Sequence, residues 1–154
     1  MGRVPSLTLT SDDAWVFVAI AGDAGKPTAL QHVVSTLDYL NRAMPTEKQF
    51  ESAVTRLVRA GFVTVTQDGF AATPDGARVF DGFGKEGVIN IMFELGKAWT
   101  GKRVADHAPA YEFRLKAGEW ERAQAAYHEW FKAWMDKRKA EKAETDHNPR
   151  PRTP

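Results

Sequence analysis

The chain contains no cysteine. That excludes a disulfide framework, a thiolate nucleophile and a thiolate metal site. No apolar run approaches the roughly 18 residues that a membrane-spanning helix needs. Arg3 is not followed by the apolar stretch and small-residue cleavage site of a signal peptide. A soluble cytoplasmic protein with no membrane partner is therefore expected. Net charge is scarce too, at +1 over 154 residues. Residues 1–80 carry seven basic against eight acidic side chains, and residues 81–154 carry fourteen against twelve. Neither half has the basic surplus of an easily recognised nucleic-acid binder.

Catalytic signatures are equally thin. His32, His107, His128 and His147 are scattered, without metal-ligand spacing to each other or to paired carboxylates. Asp106 precedes His107, but no serine or cysteine nucleophile motif lies near. Gly82, Gly84 and Gly87 match a GxGxxG spacing, yet they follow a helical pattern rather than a strand and read as a hinge. Neither enzymatic activity nor a cofactor or metal is expected.

What the chain does hold is patterned local structure. At 43% apolar and 27% charged it suits a globular domain with an appendage. Thr10 to Asp13 supplies an N-cap and first-turn acids for a helix through Ala21 that is apolar on all sides, hence buried. Thr28 with Gln31 has the capping-box spacing, and Leu30, Val33, Val34, Leu37 and Leu40 give a second buried stripe. Thr46 and Gln49 repeat the box ahead of Phe50, Ala53, Val54, Leu57 and Val58, with Gly61 as C-cap.

Residues 62–66 then alternate like a strand, and Asp68-Gly69 is a hairpin signal. A turn there pairs Val65 with Ala72 and Gln67 with Phe70, leaving Val63, Val65, Phe70 and Ala72 on one face. Thr73-Pro74-Asp75-Gly76 restarts a helix, with proline at its first position.

The run Leu57-Val58-Arg59-Ala60-Gly61-Phe62-Val63, the hairpin, and Ala72-Thr73-Pro74-Asp75-Gly76-Ala77-Arg78-Val79-Phe80 resemble the bacterial winged helix-turn-helix regulators of MarR-like and PadR-like type. The resemblance spans about residues 8 to 83, half of the chain. It implies a mainly α fold with a small β-wing. The domain expected is a winged helix-turn-helix over residues 1–84, followed by a helical C-terminal extension over 85–144 and a disordered tail over 145–154.

With Phe50, Val54 and Leu57 inward, the opposite face of the 46–60 helix carries Lys48, Ser52, Thr55, Arg56 and Arg59. The resemblance makes this the recognition helix, so these side chains, with Gln49 near its N-terminal end, are the expected contacts to double-stranded DNA. A solvated helix face is the plain alternative. One departure weighs against DNA: the wing tip is Gln67-Asp68-Gly69, short and acidic, where the family usually offers a cation. So few phosphate contacts per protomer would require a dimer.

Beyond Gly87 the pattern reads as a helix over Val88–Trp99, with a strand over Val88-Ile89-Asn90-Ile91 as the alternative, then a polar loop from Thr100 to Pro109 and an alternating stretch Tyr111–Lys116 that suits a short strand. The longest helix runs roughly from Glu119 to Ala143. Trp120, Ala123, Tyr127, Trp130, Phe131 and Trp134 form its apolar seam, expected either as a homodimer interface or packed on Val88–Trp99. The same aromatics could line a pocket for a small-molecule effector. The function expected is transcriptional regulation by a DNA-binding homodimer. The alternative is a winged-helix protein-interaction module that docks through the tryptophan helix.

Overall fold

The computed structural model describes residues 4–22 and 25–147. In order, the elements are β1 (Ser6–Thr8), α1 (Ser11–Ala21), α2 (Leu30–Asn41), α3 (Glu47–Arg59), β2 (Val63–Thr66), β3 (Gly69–Ala72), α4 (Pro74–Asp81), α5 (Val88–Trp99), β4 (Arg103–Ala105) and α6 (Glu119–His147). The fold is mainly helical, with two small antiparallel sheets, β1 with β4 and β2 with β3.

Helix α1 is the hub. Thr10 and Asp13 close a reciprocal capping box, the Thr10 amide donating to Asp13 Oδ2 at 2.9 Å. From Asp13 to Ala21 every residue is buried, as the all-round apolar pattern requires. α5, α3 and α2 surround it. Phe17 lies 5.2 Å from the Trp99 ring of α5, and the Trp15 indole donates to the Leu37 carbonyl of α2 at 3.0 Å.

Helix α3 begins with the expected box, the Thr46 amide donating to Gln49 Oε1 at 2.8 Å, and buries Phe50, Ala53, Val54 and Leu57. Helix α2 starts differently. Ala29 is its N-cap and makes no side-chain cap bond. Thr28 is instead paired with Phe70: each amide donates to the other's carbonyl, at 2.8 and 2.9 Å. The extended backbone that this pairing needs takes Thr28 out of the helix.

The hairpin register corrects the sequence reading. Val63 lies opposite Ala72, Val65 opposite Phe70 and Thr66 opposite Gly69, with Gln67 and Asp68 at the turn. The reason is Gly69. Its φ is +128°, and a Cβ there would lie 2.2 Å from the Thr28 carbonyl oxygen. Glycine is needed where the Thr28 backbone crosses, so the turn moves one residue earlier.

The C-terminal half is built onto this unit. The stretch expected as a polar loop contains β4, which pairs with β1 so that Ser6 faces Ala105. Residues 111–116 alternate inward and outward as expected but pair with no strand. Helix α6 lies chiefly on α2, not on Val88–Trp99. Trp120 stacks on Phe50 with ring centroids 4.9 Å apart. One hydrophobic cluster runs from Leu7 to Tyr127, so residues on both sides of the boundary expected at Gly84 share a core. α6 continues through His147, into the expected tail; residues 148–154 lie outside the described residues.

Candidate functional site

Two surfaces carry the residues singled out in the sequence, the outer face of α3 and the far end of α6. On α3 the predicted face does point away from the α1 core, but the chain itself comes back over it. Arg56 Nε donates to both carboxylate oxygens of Asp13, at 3.0 and 2.8 Å. One turn on, Arg59 Nε donates to Asp106 Oδ2 at 3.0 Å, and its Nη2 donates to the same oxygen. Both carboxylates are buried, while each arginine side chain keeps 28% of its surface exposed.

Thr55 is held from two sides. Its hydroxyl donates to the Glu51 carbonyl at 2.8 Å and accepts the Phe113 amide at 3.0 Å. The Glu51 carboxylate accepts the Leu115 amide at 2.7 Å. These bonds explain why residues 111–116 alternate without joining a sheet: the inward amides of Phe113 and Leu115 are satisfied by side chains of α3, and that of Tyr111 by the Ala108 carbonyl. Phe113 anchors this strap, its ring 6.2 Å from Phe50 and 5.5 Å from Phe70. Gln49 is engaged in the cap of its own helix, Ser52 is half-buried, and Lys48 is exposed. Between helix and strap a groove of about 390 Å³ remains, bordered by Lys48, Ser52, Arg56, Arg59, Tyr111 and Arg114.

The two buried acids differ in electrostatics. Burial pushes the Asp13 carboxyl above the usual range, outweighing the Arg56 pair and the Thr10 cap. For Asp106 the Arg59 hydrogen bond wins, and its carboxyl is held below that range. Asp106 also accepts the Ala108 amide at 3.2 Å, which fixes the start of the strap. In the sequence Asp13 is read as a first-turn acid and Asp106 as a neighbour of His107, neither as an arginine's partner; Glu51 is not singled out, and the alternation of 111–116 is the one hint of Phe113.

Helix α6 divides in two. Trp120, Ala123 and Tyr127 are buried within the chain. The Tyr127 hydroxyl donates to Asp38 of α2, and burial together with this acid pushes its pKa up to about 12. Trp130, Phe131 and Trp134 are 53%, 41% and 40% exposed. The exposed rings touch one another, Trp130 to Trp134 at 6.4 Å and Phe131 to Trp134 at 5.9 Å, and Arg138 lies over Trp134 at 4.9 Å. From His128 to Thr145 only Met135 is half-buried.

Among the described residues no cluster of His, Asp or Glu has the makings of a metal site, and no helix is long and apolar enough to cross a membrane. Comparison with family models, with curated proteins and with solved structures returned no match.

Proposed function

We propose that the chain is a protein-interaction module, a winged-helix core that docks a protein partner through the far end of α6. The element order from α1 to α4, with Thr28 paired to the hairpin, supports the winged-helix reading. The observation that carries the interaction reading is the stripe of Trp130, Phe131 and Trp134, left exposed by the body on which the first half of the helix is packed. Tryptophan dominates interface energetics because it buries a large rigid area at little entropic cost, and contiguous exposed rings of this kind mark docking sites. The α3 face supports it from the other direction. Two of its three cations already neutralise buried carboxylates, and Thr55 holds the strap.

A second reading, duplex DNA binding, draws on the groove along α3, where Lys48 is exposed and both guanidinium groups keep an open edge. Fluorescence anisotropy with mixed-sequence duplex DNA at two salt concentrations separates the readings. No binding is expected at either salt, since so few phosphates can be neutralised. Saturable low-salt binding that Lys48→Glu abolishes would restore the regulator reading. Lys48 is exposed, so that variant leaves the fold intact.

A further inference from the structure

The outward row of α3 is only half engaged. At about 100° per residue, Lys48, Ser52, Arg56 and Arg59 fall within an arc of about 80°, while Thr55 and Glu51 lie on the flank that the strap occupies. Each arginine is fixed from behind and keeps donors in front. Arg56 meets Asp13 through Nε alone, and Arg59 meets Asp106 through Nε and Nη2. Both Nη groups of Arg56 and Nη1 of Arg59 are left without an acceptor among the described residues. The buried carboxylates already hold these side chains, so a ligand has little left to order. Across the groove stands a different wall, the apolar Pro109 and Ala110 with the half-buried Tyr111.

We infer that this groove binds a phosphate monoester that carries a flat ring, with the phosphoryl oxygens on Arg56 and Arg59 and the ring against Tyr111. The donors select phosphate over carboxylate. A carboxylate is satisfied by the one open fork of Arg56 and leaves Arg59 Nη1 idle. A phosphate monoester brings about −1.5 to −2 charge at neutral pH and three terminal oxygens. Those serve the Arg56 fork, Arg59 Nη1 and the Ser52 hydroxyl one turn away.

Width keeps duplex DNA from the same seat. A helix with its side chains is about 10–12 Å across, which already fills a major groove about 12 Å wide. With a strap bonded to its flank, α3 is too broad to sink there. The groove's volume of about 390 Å³ lies near the lower end of the roughly 300–1,000 Å³ typical of small-ligand sites. Its charge nearly balances. Lys48, Arg56, Arg59 and Arg114 stand against Glu51 and Glu112 at the rim and Asp13 and Asp106 behind. Affinity therefore rests on the placed donors and the ring, and inorganic phosphate alone dissociates at roughly 1 mM.

NMR titration of the full chain in a phosphate-free buffer reads this directly, through the Arg56 and Arg59 Nε resonances and the amides of residues 110–113. Inorganic phosphate moves both sets. Phenyl phosphate or adenosine 5′-monophosphate binds about tenfold tighter than inorganic phosphate, the ring supplying the gain. The tighter of the two names the source, a phosphotyrosine side chain or a free nucleotide. Benzoate keeps the ring but not the phosphoryl group, and binds about tenfold more weakly than phenyl phosphate. Arg59→Lys keeps a cation on Asp106 but loses Nη1, and weakens phenyl phosphate about tenfold. Lys48→Glu, at an exposed position that the fold does not need, weakens it about threefold. Trp134→Ala leaves it unchanged, so the result is independent of the docking reading for α6. Several outcomes overturn the proposal: shifts centred outside the groove, no gain from either ring, or benzoate equal to phenyl phosphate. So does indifference to both Arg59→Lys and Lys48→Glu, or displacement of phenyl phosphate by duplex DNA that lacks terminal phosphates.

Discussion

The outer face of α3 and the far end of α6 look, as sequence, like the reverse of what they are. The α3 face is a row of hydroxyls and cations that reads as a free polar surface. In the fold two of its three cations are tied to the interior, since Arg56 and Arg59 stand over two buried carboxylates from other parts of the chain while Lys48 stays exposed. The α6 seam is aromatic and reads as core. Its first half is core, and its second half meets solvent. Residue type sets what a side chain can do, but only the rest of the chain decides whether it is already engaged.

The contrast can be broken most directly at Arg56. Arg56→Ala leaves the Asp13 carboxylate buried without its partner, so a loss of about 3–5 kcal/mol is expected in urea unfolding. A loss below about 1 kcal/mol would mean that the arginine is a surface group after all. Thr55→Val removes the acceptor of the Phe113 amide, and a cost of about 1–3 kcal/mol is expected, with faster amide exchange in residues 111–115.

The two acids sharpen the comparison through pH. The Asp106 carboxyl is lowered, so its stabilisation is present above the usual carboxylate range and is lost as pH falls through its folded value. Asp106→Asn should therefore flatten the acid limb of a stability profile. Asp13 is raised, so its protonation favours the folded state and its contribution declines as pH rises. Asp13→Asn should steepen the acid limb. Urea midpoints measured between roughly pH 3 and pH 7 read both signs. The smallest effect belongs to the other surface: Trp134→Ala in dilute solution should shift monomer stability by no more than about 0.5 kcal/mol, because the ring contacts found among the described residues are with Trp130, Phe131 and Arg138 of its own helix.

What was legible in the sequence is what short range determines. Thr10 with Asp13, Thr46 with Gln49, and Thr73 with Pro74 cap helices where the spacing says they should, because a cap is a contract among neighbours. The apolar periods likewise gave α1, α2, α3 and α5. The distant pairings were hidden. Arg56 meets an acid 43 positions away and Arg59 one 47 positions away, and no local pattern encodes either. The hairpin slipped for the same reason, since Gly69 answers to Thr28. The stripe on α6 was visible as a whole, but where it passes the edge of α2 depends on the packing angle of two helices.

The pairing of β1 with β4 carries a consequence for birth on the ribosome. Residues 6–8 wait for residues 103–105, and at about 5–20 residues per second that is a delay of roughly 5–20 s after the first strand emerges. For most of it α1, apolar on every side, has not yet met α5, which emerges just ahead of β4. The nascent chain thus spends most of that interval with the α5-facing side of its most apolar helix open to solvent, covered only by what α2 and α3 supply.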